Sequence, residues 1–407
     1  MREYYRKKNC RLCKSINLKY AIKFNKSPLC DDYAKKNKLQ NFYDLNLCYC
    51  SDCDFVQIDT VINPNIIYKN YIYETKSSIT LKKHFREYSS DLLSFLNFNK
   101  SDLIVDIGSN DGTLLNFFKP KCKILGIEPA KKIALNATRK GIETLPLYFN
   151  TINAKKIKKT YGSAKLISIN NLFANVDNLS EFTRSLKILL DNEGVIVIES
   201  SYLFDMIKNM VFDFIYHEHL SYFSIIPLSK YFNQFGFKLI RIKKVSSKGG
   251  SLRYFFARIE SSFKIDKSVK NLSKLELKKN ISLLTFKKFN KKIESIKFKL
   301  NNFLNKNFHS NIIGYGASAT TTTMISHFEL NKFLKYLVDD NKDKINTYSP
   351  GYNIPVLAFN SIKEKKPDII IIFAWRYYDA IINKLKKNKI KNIQIIVPLP
   401  KFRIIKL

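Results

Sequence analysis

The sequence predicts an α/β protein built around an open, mostly parallel sheet. Two stretches support this prediction, residues 103–116 (LIVDIGSNDGTLLN) and 311–318 (NIIGYGAS), since each runs from an apolar strand through a glycine turn into a helix. A third observation is that apolar runs alternate with helical patterns around both stretches. Units of this kind place a nucleotide or nucleoside site at the carboxyl edge of the sheet.

The region around residues 103–116 follows the alternation of one such sheet. Short apolar runs typical of buried parallel strands occur at 103–107, 123–127, 164–169 and 195–199. A helical pattern precedes the first run, and another, at 179–190, precedes the last. The runs at 236–245 and 252–259 fit an antiparallel pair, so we expect a sheet that closes with a hairpin.

Acidic residues distinguish the first glycine turn from a dinucleotide site, which reads G-x-G-x-x-G and holds a pyrophosphate. Here Asp106 ends one strand, Gly108 and Gly112 flank Asn110, and Glu128 ends the next strand. Carboxylates suit a cation or the hydroxyls of a ribose better than a diphosphate. The pattern therefore predicts a nucleoside site, the alternative being an ordinary turn with solvent-facing acids.

Composition sets outer bounds on function. The chain has 407 residues, 45% of them hydrophobic, which is enough for two or three domains. Its net charge of +36 invites a nucleic-acid interpretation, but the lysines are spread along the whole chain. We therefore expect solvated helix faces and no specific nucleic-acid partner. With no apolar run of about 18 residues and no signal-peptide core, we expect a cytoplasmic protein without a membrane span.

Two C-x-x-C pairs organise the N-terminal segment. Together they can present four thiolates to one structural zinc ion: Cys10, Cys13, Cys50 and Cys53. Cys30 and Cys48 are left over and are expected to be small buried hydrophobic residues, although Cys48 could compete as a ligand. The alternative is a set of scattered reduced cysteines.

A polar segment, FIYHEHLSYFS, lies between the apolar run at 195–199 and the closing hairpin. It holds two of the five histidines, His217 and His219, together with Tyr216 and Glu218. A histidine base, a carboxylate and a phenol can remove a proton beside a carbonyl and hold the enolate oxygen. A metal site is the weaker interpretation, because H-E-H has no second cluster to complete a metal shell. A polar loop with satisfied histidines is the remaining alternative.

The C-terminal part shows the second strand–turn–helix unit, with Gly314 and Gly316 in its turn. Further apolar strands are expected at 336–340 and 368–374, and the lysine-rich stretch 262–308 is expected to be a helical connection. The turn could cradle a diphosphate at the helix N-terminus, or it could be a remnant that only packs.

In combination, the cysteine pairs, VDIGSNDGTLL, YHEHLSYFS, GGSLR and GYGAS resemble the sugar C-methyltransferase family over nearly the entire chain. Those enzymes methylate carbon in nucleotide-linked 4-keto-deoxysugars, at C-3′ or C-5. The resemblance implies a zinc-binding domain (1–70), a class I S-adenosylmethionine-dependent methyltransferase domain with a Rossmann-like sheet (75–260) and a Rossmann-like C-terminal domain (261–407). It also suggests polysaccharide assembly as the pathway and leaves the oligomeric state open.

The resemblance also implies roles for individual residues. His219 would take the proton α to the ketone, with Glu218 as its neighbour and Tyr216 stabilising the enolate. A tyrosine that follows the zinc domain would reach the sugar, with Tyr73 as first choice and Tyr71 as the alternative. The cofactor S-adenosylmethionine would be held by five residues of the first sheet: Asp106, Gly108, Asn110, Gly112 and Glu128.

Two positions depart from the family pattern. Asn175 stands where the family usually has a histidine, and Thr320 replaces the lysine of GYGASAK.

Two rival hypotheses remain. An RNA or protein methyltransferase would concentrate lysines around the cofactor cleft. An inactive relative in polysaccharide assembly would have lost members of the YHEH group.

Overall fold

The computed structural model describes residues 3–68 and 79–407 and confirms the predicted α/β class. Within these residues the strands form four sheets, of two, four, seven and seven strands. One seven-stranded sheet lies in the centre of the chain and the other in its C-terminal part. The two smaller sheets belong to the N-terminal part.

The N-terminal part is mostly antiparallel. Its strands and its short helix, among the described residues, are β1 (Tyr4–Arg6), β2 (Leu18–Ser27), β3 (Tyr43–Cys50), β4 (Val56–Ile58), β5 (Thr60–Ile62) and α1 (Pro64–Tyr68). Strand β1 pairs with β5, and β2, β3 and β4 form a meander. The cysteine pairs lie at the same end of this meander, because β2 begins five residues after Cys13 and its first residue, Leu18, pairs with Cys50 at the end of β3.

The central part alternates strands and helices, as predicted. Its helices are α2 (Ile79–Phe95), α3 (Leu115–Phe118), α4 (Lys131–Arg139), α5 (Thr151–Tyr161), α6 (Leu179–Leu189), α7 (Leu203–Lys208) and α8 (Ile225–Asn233). Its strands are β6 (Leu103–Ile107), β7 (Lys123–Ile127), β8 (Thr144–Leu145), β9 (Ala164–Asn170), β10 (Leu190–Ser201), β11 (Ser221–Tyr222), β12 (Phe237–Val245) and β13 (Ser251–Arg258). The sheet order is β12-β13-β10-β9-β6-β7-β8, with antiparallel pairing only at β13 and β12.

Alternation of side chains along the central strands supplies two cores. In β6, Val105 and Ile107 join the large hydrophobic cluster that continues into the other domains, whereas Ile104 joins a separate cluster under α2. All five residues of β6 are buried, as expected of a parallel strand covered on both faces. Strand β11 leaves this sheet and pairs instead with β4 of the N-terminal part.

The C-terminal part holds the second predicted unit. Its strands are β14 (Ile312–Tyr315), β15 (Leu334–Val338), β16 (Thr347–Tyr348), β17 (Pro355–Leu357), β18 (Ile369–Ile372), β19 (Gln394–Val397) and β20 (Arg403–Lys406), in the order β16-β17-β15-β14-β18-β19-β20. Its helices are α9 (Lys267–Lys279), α10 (Leu283–Lys306), α11 (Ala319–Phe328), α12 (Ser361–Lys365) and α13 (Tyr378–Lys387). Only the two edge strands are antiparallel.

Helix α10 explains how a lysine-rich segment packs. Its apolar residues recur at helical spacing and form one buried stripe: Phe286, Phe289, Ile293, Ile296, Leu300 and Leu304. Its lysines therefore face outward, while the Ser282–Thr285 capping box begins the helix.

Among the helices that the structure describes, none combines the length and the apolar character of a membrane span.

Candidate active site and zinc centre

Four cysteine sulfurs converge at the end of the N-terminal meander. The Sγ atoms of Cys10, Cys13, Cys50 and Cys53 lie within 4.8 Å of one another, and the pairs Cys10–Cys53 and Cys13–Cys50 are each 3.6 Å apart. A tetrahedral zinc ion with Zn–S bonds near 2.3 Å separates its sulfurs by about 3.8 Å. The cluster therefore fits a closed structural zinc site.

The two halves of this cluster have the same backbone. In each, the first cysteine N–H donates to the carbonyl five residues later, Ser15 or Phe55, at 2.8 Å. The residue four positions on, Lys14 or Asp54, has a left-handed backbone, with φ of 66° and 60° respectively. This repeated turn aims both thiols of a pair at one point. Cys48, the alternative ligand, is buried outside the cluster.

Arg11, inside the first cysteine pair, connects the zinc centre to the rest of the protein. Its guanidinium is fully buried and donates to the carbonyl oxygens of Ile58 and Leu220, and it pairs with Asp177 at 3.0 Å. Leu220 directly follows His219. The zinc centre thus helps to hold the YHEH segment in place.

The first glycine turn lies at the carboxyl edge of the central sheet, between β6 and β7. The Gly108 N–H donates to Ile127 O at 2.8 Å, and the Glu128 carboxylate accepts from the backbone N–H groups of Asn110 (3.1 Å) and Ala130 (2.8 Å). Gly108 has a φ of 76°, and a Cβ there would lie 3.0 Å from the Leu172 side chain. Glu128 is therefore held rigidly beside the turn.

Gly112 has a different position from the other four predicted cofactor residues. Asp106, Gly108, Asn110 and Glu128 line the cleft described below, whereas a Cβ on Gly112 would lie 2.7 Å from Ile142. The contribution of Gly112 is thus to the shape of the turn and its packing.

Burial sets the electrostatics of the two acids at this edge. Asp106 accepts a hydrogen bond from Ser168 Oγ at 2.6 Å, and burial raises its pKa to about 7. Burial also raises the pKa of Glu128, opposed by the two backbone hydrogen bonds. Two buried acceptors beside a tight glycine turn fit the hydroxyl groups and the cationic amino acid part of S-adenosylmethionine.

In the YHEH segment the structure brings Tyr216 and His219 together. The Tyr216 hydroxyl lies 3.2 Å from His219 Nε2, and His219 Nδ1 lies 2.9 Å from the Phe214 carbonyl oxygen. Because a carbonyl only accepts, Nδ1 carries the proton and the lone pair is on Nε2. Burial, followed by the charge of Lys248, lowers the pKa of His219 to about 3, so the ring is neutral near pH 7.

Glu218 and His217 point to different surroundings. Glu218 lines the cleft, and burial and the charge of Asp31 raise its pKa to about 7. His217 has its Nε2 3.2 Å from Asp44 O, and burial lowers its pKa to about 4. Both histidines of H-E-H line the cleft, but their rings have different partners: His219 lies beside Tyr216, whereas His217 lies beside the Asp44 carbonyl of the N-terminal sheet.

A buried ion pair that sequence reasoning missed lies next to His84 and Ser247, two residues that line the cleft. The carboxylate of Glu199, at the end of β10, accepts from Arg253 Nε at 2.6 Å and lies 2.6 Å from His84 Nε2. Although burial opposes it, His84 and Arg253 lower the pKa of Glu199. Ser247 Oγ also donates to Glu199, at 3.3 Å. The sequence did hold one sign of this pair: Glu199 is a carboxylate near the end of an apolar run, as Asp106 and Glu128 are.

The second glycine turn has a carboxylate as well. Asp339, just after β15, accepts from the Ala317 N–H at 2.5 Å and from the Asn341 N–H at 2.7 Å. Ser318 caps α11, and Thr320 is buried with its hydroxyl 2.9 Å from Ser318 Oγ. The second glycine turn therefore has a carboxylate beside it, as the first turn does. A negative charge there favours the hydroxyl groups of a ligand over its phosphate oxygens.

The first glycine turn, the YHEH segment and the second glycine turn open onto one cleft of about 2740 Å³. Its lining includes residues of all three parts of the chain, among them Asp31, Glu128, His219 and Ser318. Asn175 lines it too. Tyr73 and its alternative Tyr71 lie outside the described residues. A cleft this size exceeds the volume of a single drug-sized ligand site, roughly 300–1,000 Å³.

Family comparisons cover nearly the whole chain. Residues 10–68 match a zinc binding domain, residues 81–242 a methyltransferase domain, and residues 246–400 a C-methyltransferase C-terminal domain. The C-methyltransferase NovU of Streptomyces niveus is 24% identical over 404 residues, which cover 97% of this chain and 96% of NovU.

Two solved methyltransferase structures are similar to somewhat less than half of the chain. A SAM-dependent methyltransferase from Anabaena variabilis is 16% identical, covering 48% of this chain and 91% of that chain with a TM-score of 0.36. Magnesium protoporphyrin IX methyltransferase (ChlM) from Synechocystis, with bound SAH, is 13% identical, covering 44% and 83% with a TM-score of 0.35.

The domain matches follow the order of the zinc cluster, the central sheet and the C-terminal sheet, and the second and third matches meet at the closing hairpin of the central sheet. The resemblance found in the sequence is thereby confirmed, together with S-adenosylmethionine as cofactor and a structural zinc ion in the four-cysteine cluster. The chain belongs to the family of S-adenosylmethionine-dependent C-methyltransferases that carry an N-terminal zinc domain.

Proposed function

We propose that this protein methylates the carbon next to the ketone of a nucleotide-linked 4-keto-deoxysugar. One observation carries the proposal: the Tyr216–His219 pair opens onto the same cleft as the cofactor turn. A neutral imidazole beside a phenol is the combination that forms an enolate from a ketone. The sugar itself is inferred from the resemblance of the YHEH and GYGAS segments.

His219 is the proposed base. The Phe214 carbonyl fixes its tautomer, so that Nε2 can accept a proton from the carbon α to the ketone. Its low pKa in the free protein keeps the ring unprotonated. As negative charge develops on the substrate beside the ring, that charge favours the imidazolium and makes the histidine a stronger base.

Tyr216 is the proposed partner for the oxygen. Burial keeps the pKa of its phenol well above the ordinary value, so the hydroxyl retains its proton. When the α C–H bond breaks, its electron pair forms the enolate, and the Tyr216 hydroxyl turns from His219 to that oxygen. Bound S-adenosylmethionine supplies the methyl group, because the enolate carbon forms the new C–C bond while the C–S bond breaks onto sulfur.

The size of the cleft supports a nucleotide-linked substrate. The cleft extends from Glu128 to Ser318, so it has room for a second ligand beside the cofactor. Asp106, Gly108, Asn110 and Glu128 would hold the cofactor, whereas the second glycine turn would contact the nucleotide end of the substrate. Tyr73 remains proposed as a further sugar contact.

Solvent-deuterium exchange tests the proposal. Nucleotide-linked 4-keto-deoxysugars are incubated in D₂O with and without S-adenosylmethionine and followed by NMR. We expect exchange at one α carbon, and methylation of that carbon when the cofactor is present. His219→Asn should abolish both, with His309→Asn, which changes an exposed histidine outside the cleft lining, as the control. Retained exchange in His219→Asn would remove His219 as the base and leave Glu218, whose pKa lies near 7, as the candidate.

One observation favours a second candidate, a polymeric anionic substrate. Helix α10 places Lys288, Lys291, Lys292 and Lys299 along one lip of the cleft. Such a stripe would attract RNA, and its binding would weaken steeply with salt. Transfer of labelled methyl from S-adenosylmethionine to cellular RNA, with none to keto-sugars, would replace the sugar proposal.

A further inference from the structure

Lys248 has a strained backbone at the edge of the cleft. Its φ and ψ are 54° and 29°, the left-handed region that a residue with a Cβ seldom adopts. Two glycines follow it, and a Cβ on Gly250 would lie 2.5 Å from Asp205. A Cβ on Gly249 would lie 2.8 Å from Val211. Strain that tight packing maintains beside an active site often serves the placement of a functional group.

The surroundings of the Lys248 ammonium are charged and poorly solvated. It interacts with the carboxylates of Glu199 and Glu218 and with the guanidinium of Arg376, and it acts on His219. Lys248 lines the cleft together with His219 and Glu218, and Lys248 and His219 also line one small cavity next to Phe214 and Tyr222. It therefore lies beside the two groups that can take the substrate proton.

Lys248 differs from the neighbouring cations. Arg376 pairs with Asp213 at 3.1 Å, and Lys344 pairs with Asp31 at 2.6 Å. For Lys248, no carboxylate oxygen within residues 3–68 and 79–407 lies within 4.0 Å. Burial lowers its pKa to about 8, so most of the ammonium is still charged at neutral pH. Its charge is thus available to a ligand.

We propose that Lys248 is a further catalytic residue, whose ammonium binds the ketone oxygen and stabilises the negative charge of the enolate. This inference rests on the proposed function. A fixed cation at a developing oxyanion stabilises the transition state more than the ground state, especially where water is excluded. Tyr216 would donate to the same oxygen from the YHEH side, so that two donors meet the charge.

The first test is α-proton exchange in D₂O without S-adenosylmethionine, on the keto-sugar that the native protein exchanges. Lys248→Met should slow exchange by about 100-fold, the usual effect of losing one oxyanion donor. Lys248→Arg should restore part of the rate. The control is Lys208→Met, which removes an exposed lysine of the same cleft and should leave the rate unchanged. Equal cofactor affinity in all variants would show that they fold.

The second test needs no substrate. Imidazole nitrogen NMR of the zinc-loaded protein follows the pH titration of His219, assigned with His219→Asn. Because the Lys248 charge lowers the pKa of His219, Lys248→Met should raise it, while Lys208→Met should not. A lysine whose ammonium lies away from His219 would not produce this shift, whereas the slower exchange of the first test reports its action on the enolate.

The outcomes separate the two proposals. If the native protein exchanges the α proton and Lys248→Met exchanges it equally fast, the role of Lys248 is refuted and the proposed function stands. An unchanged His219 titration in Lys248→Met would also refute it. If the native protein exchanges no keto-sugar, the proposed function fails, and the enolate role of Lys248 fails with it.

Discussion

The ion pair between Glu199 and Arg253 offers a sharp test of how the central sheet supports the cleft. The two residues lie directly opposite each other on β10 and β13, and their side chains are 1% and 2% exposed. Arg253 also stacks on Tyr88, with its guanidinium carbon 4.1 Å from the ring centroid, and lies 3.6 Å from Asp91. Arg253→Met removes these contacts and leaves a buried carboxylate.

The expected loss of stability in Arg253→Met depends on which partners Glu199 and Asp91 keep. Breaking a buried ion pair costs about 3–5 kcal/mol. Glu199 keeps His84 and Ser247, and Asp91 keeps Lys243 at 2.9 Å, so we expect the lower end, about 3 kcal/mol. Such a loss corresponds to roughly 100-fold faster amide exchange from the sheet.

The assay is hydrogen exchange with mass spectrometry on peptides from β10 and β13. Peptides from β14 and β18 of the C-terminal sheet serve as an internal reference, since the change lies outside that sheet. Arg241→Met is the control variant: Arg241 is 26% exposed and pairs with Asp91 at 3.3 Å, so its loss should cost about 1 kcal/mol or less.

The pH dependence gives a second reading of the same change. In the native protein the pKa of Glu199 is lowered, so its contribution to stability is present above the unfolded pKa and is lost as pH falls. In Arg253→Met, burial raises that pKa, and protonation then relieves the unpaired charge. The difference between variant and native protein should therefore shrink from pH 7 to pH 5. Exchange in β10 within threefold of native at pH 7 would refute the reasoning.

Three further predictions concern the zinc centre, the cofactor site and the YHEH segment. Metal analysis should find about one zinc per chain; Cys53→Ser should lose it and Cys48→Ser should keep it, whereas a folded native protein without metal would contradict the site. Glu128→Gln should weaken S-adenosylmethionine binding in calorimetry by about 10-fold or more, while Glu143→Gln, an exposed change next to β8, should not. Since the pKa of Glu218 is about 7, α-proton exchange should change with pH around neutrality if its carboxylate takes part, and Glu218→Gln should flatten that step; an unaltered profile would exclude Glu218.

Local patterns were sufficient to predict most elements near the cofactor. The apolar runs 103–107 and 123–127 became β6 and β7 with the predicted ends, because a buried parallel strand needs an unbroken apolar stretch. The two C-x-x-C pairs predicted the four-sulfur cluster, because each pair forms a short turn of fixed shape. The helix after the glycine turn, however, is only four residues long, from Leu115 to Phe118.

The sequence by itself determined the α/β class, the zinc-binding cysteines and the family, since all three depend on residue spacing over short stretches. Only the tertiary structure separated His217 from His219, and only it placed Lys248 beside Glu218. The positions of these side chains relative to one another depend on which strands, distant in the sequence, pair with each other. Strand β11, for example, joins the N-terminal sheet, and contacts across more than a hundred residues, such as that of Arg11 with Asp177, have no local pattern in the sequence.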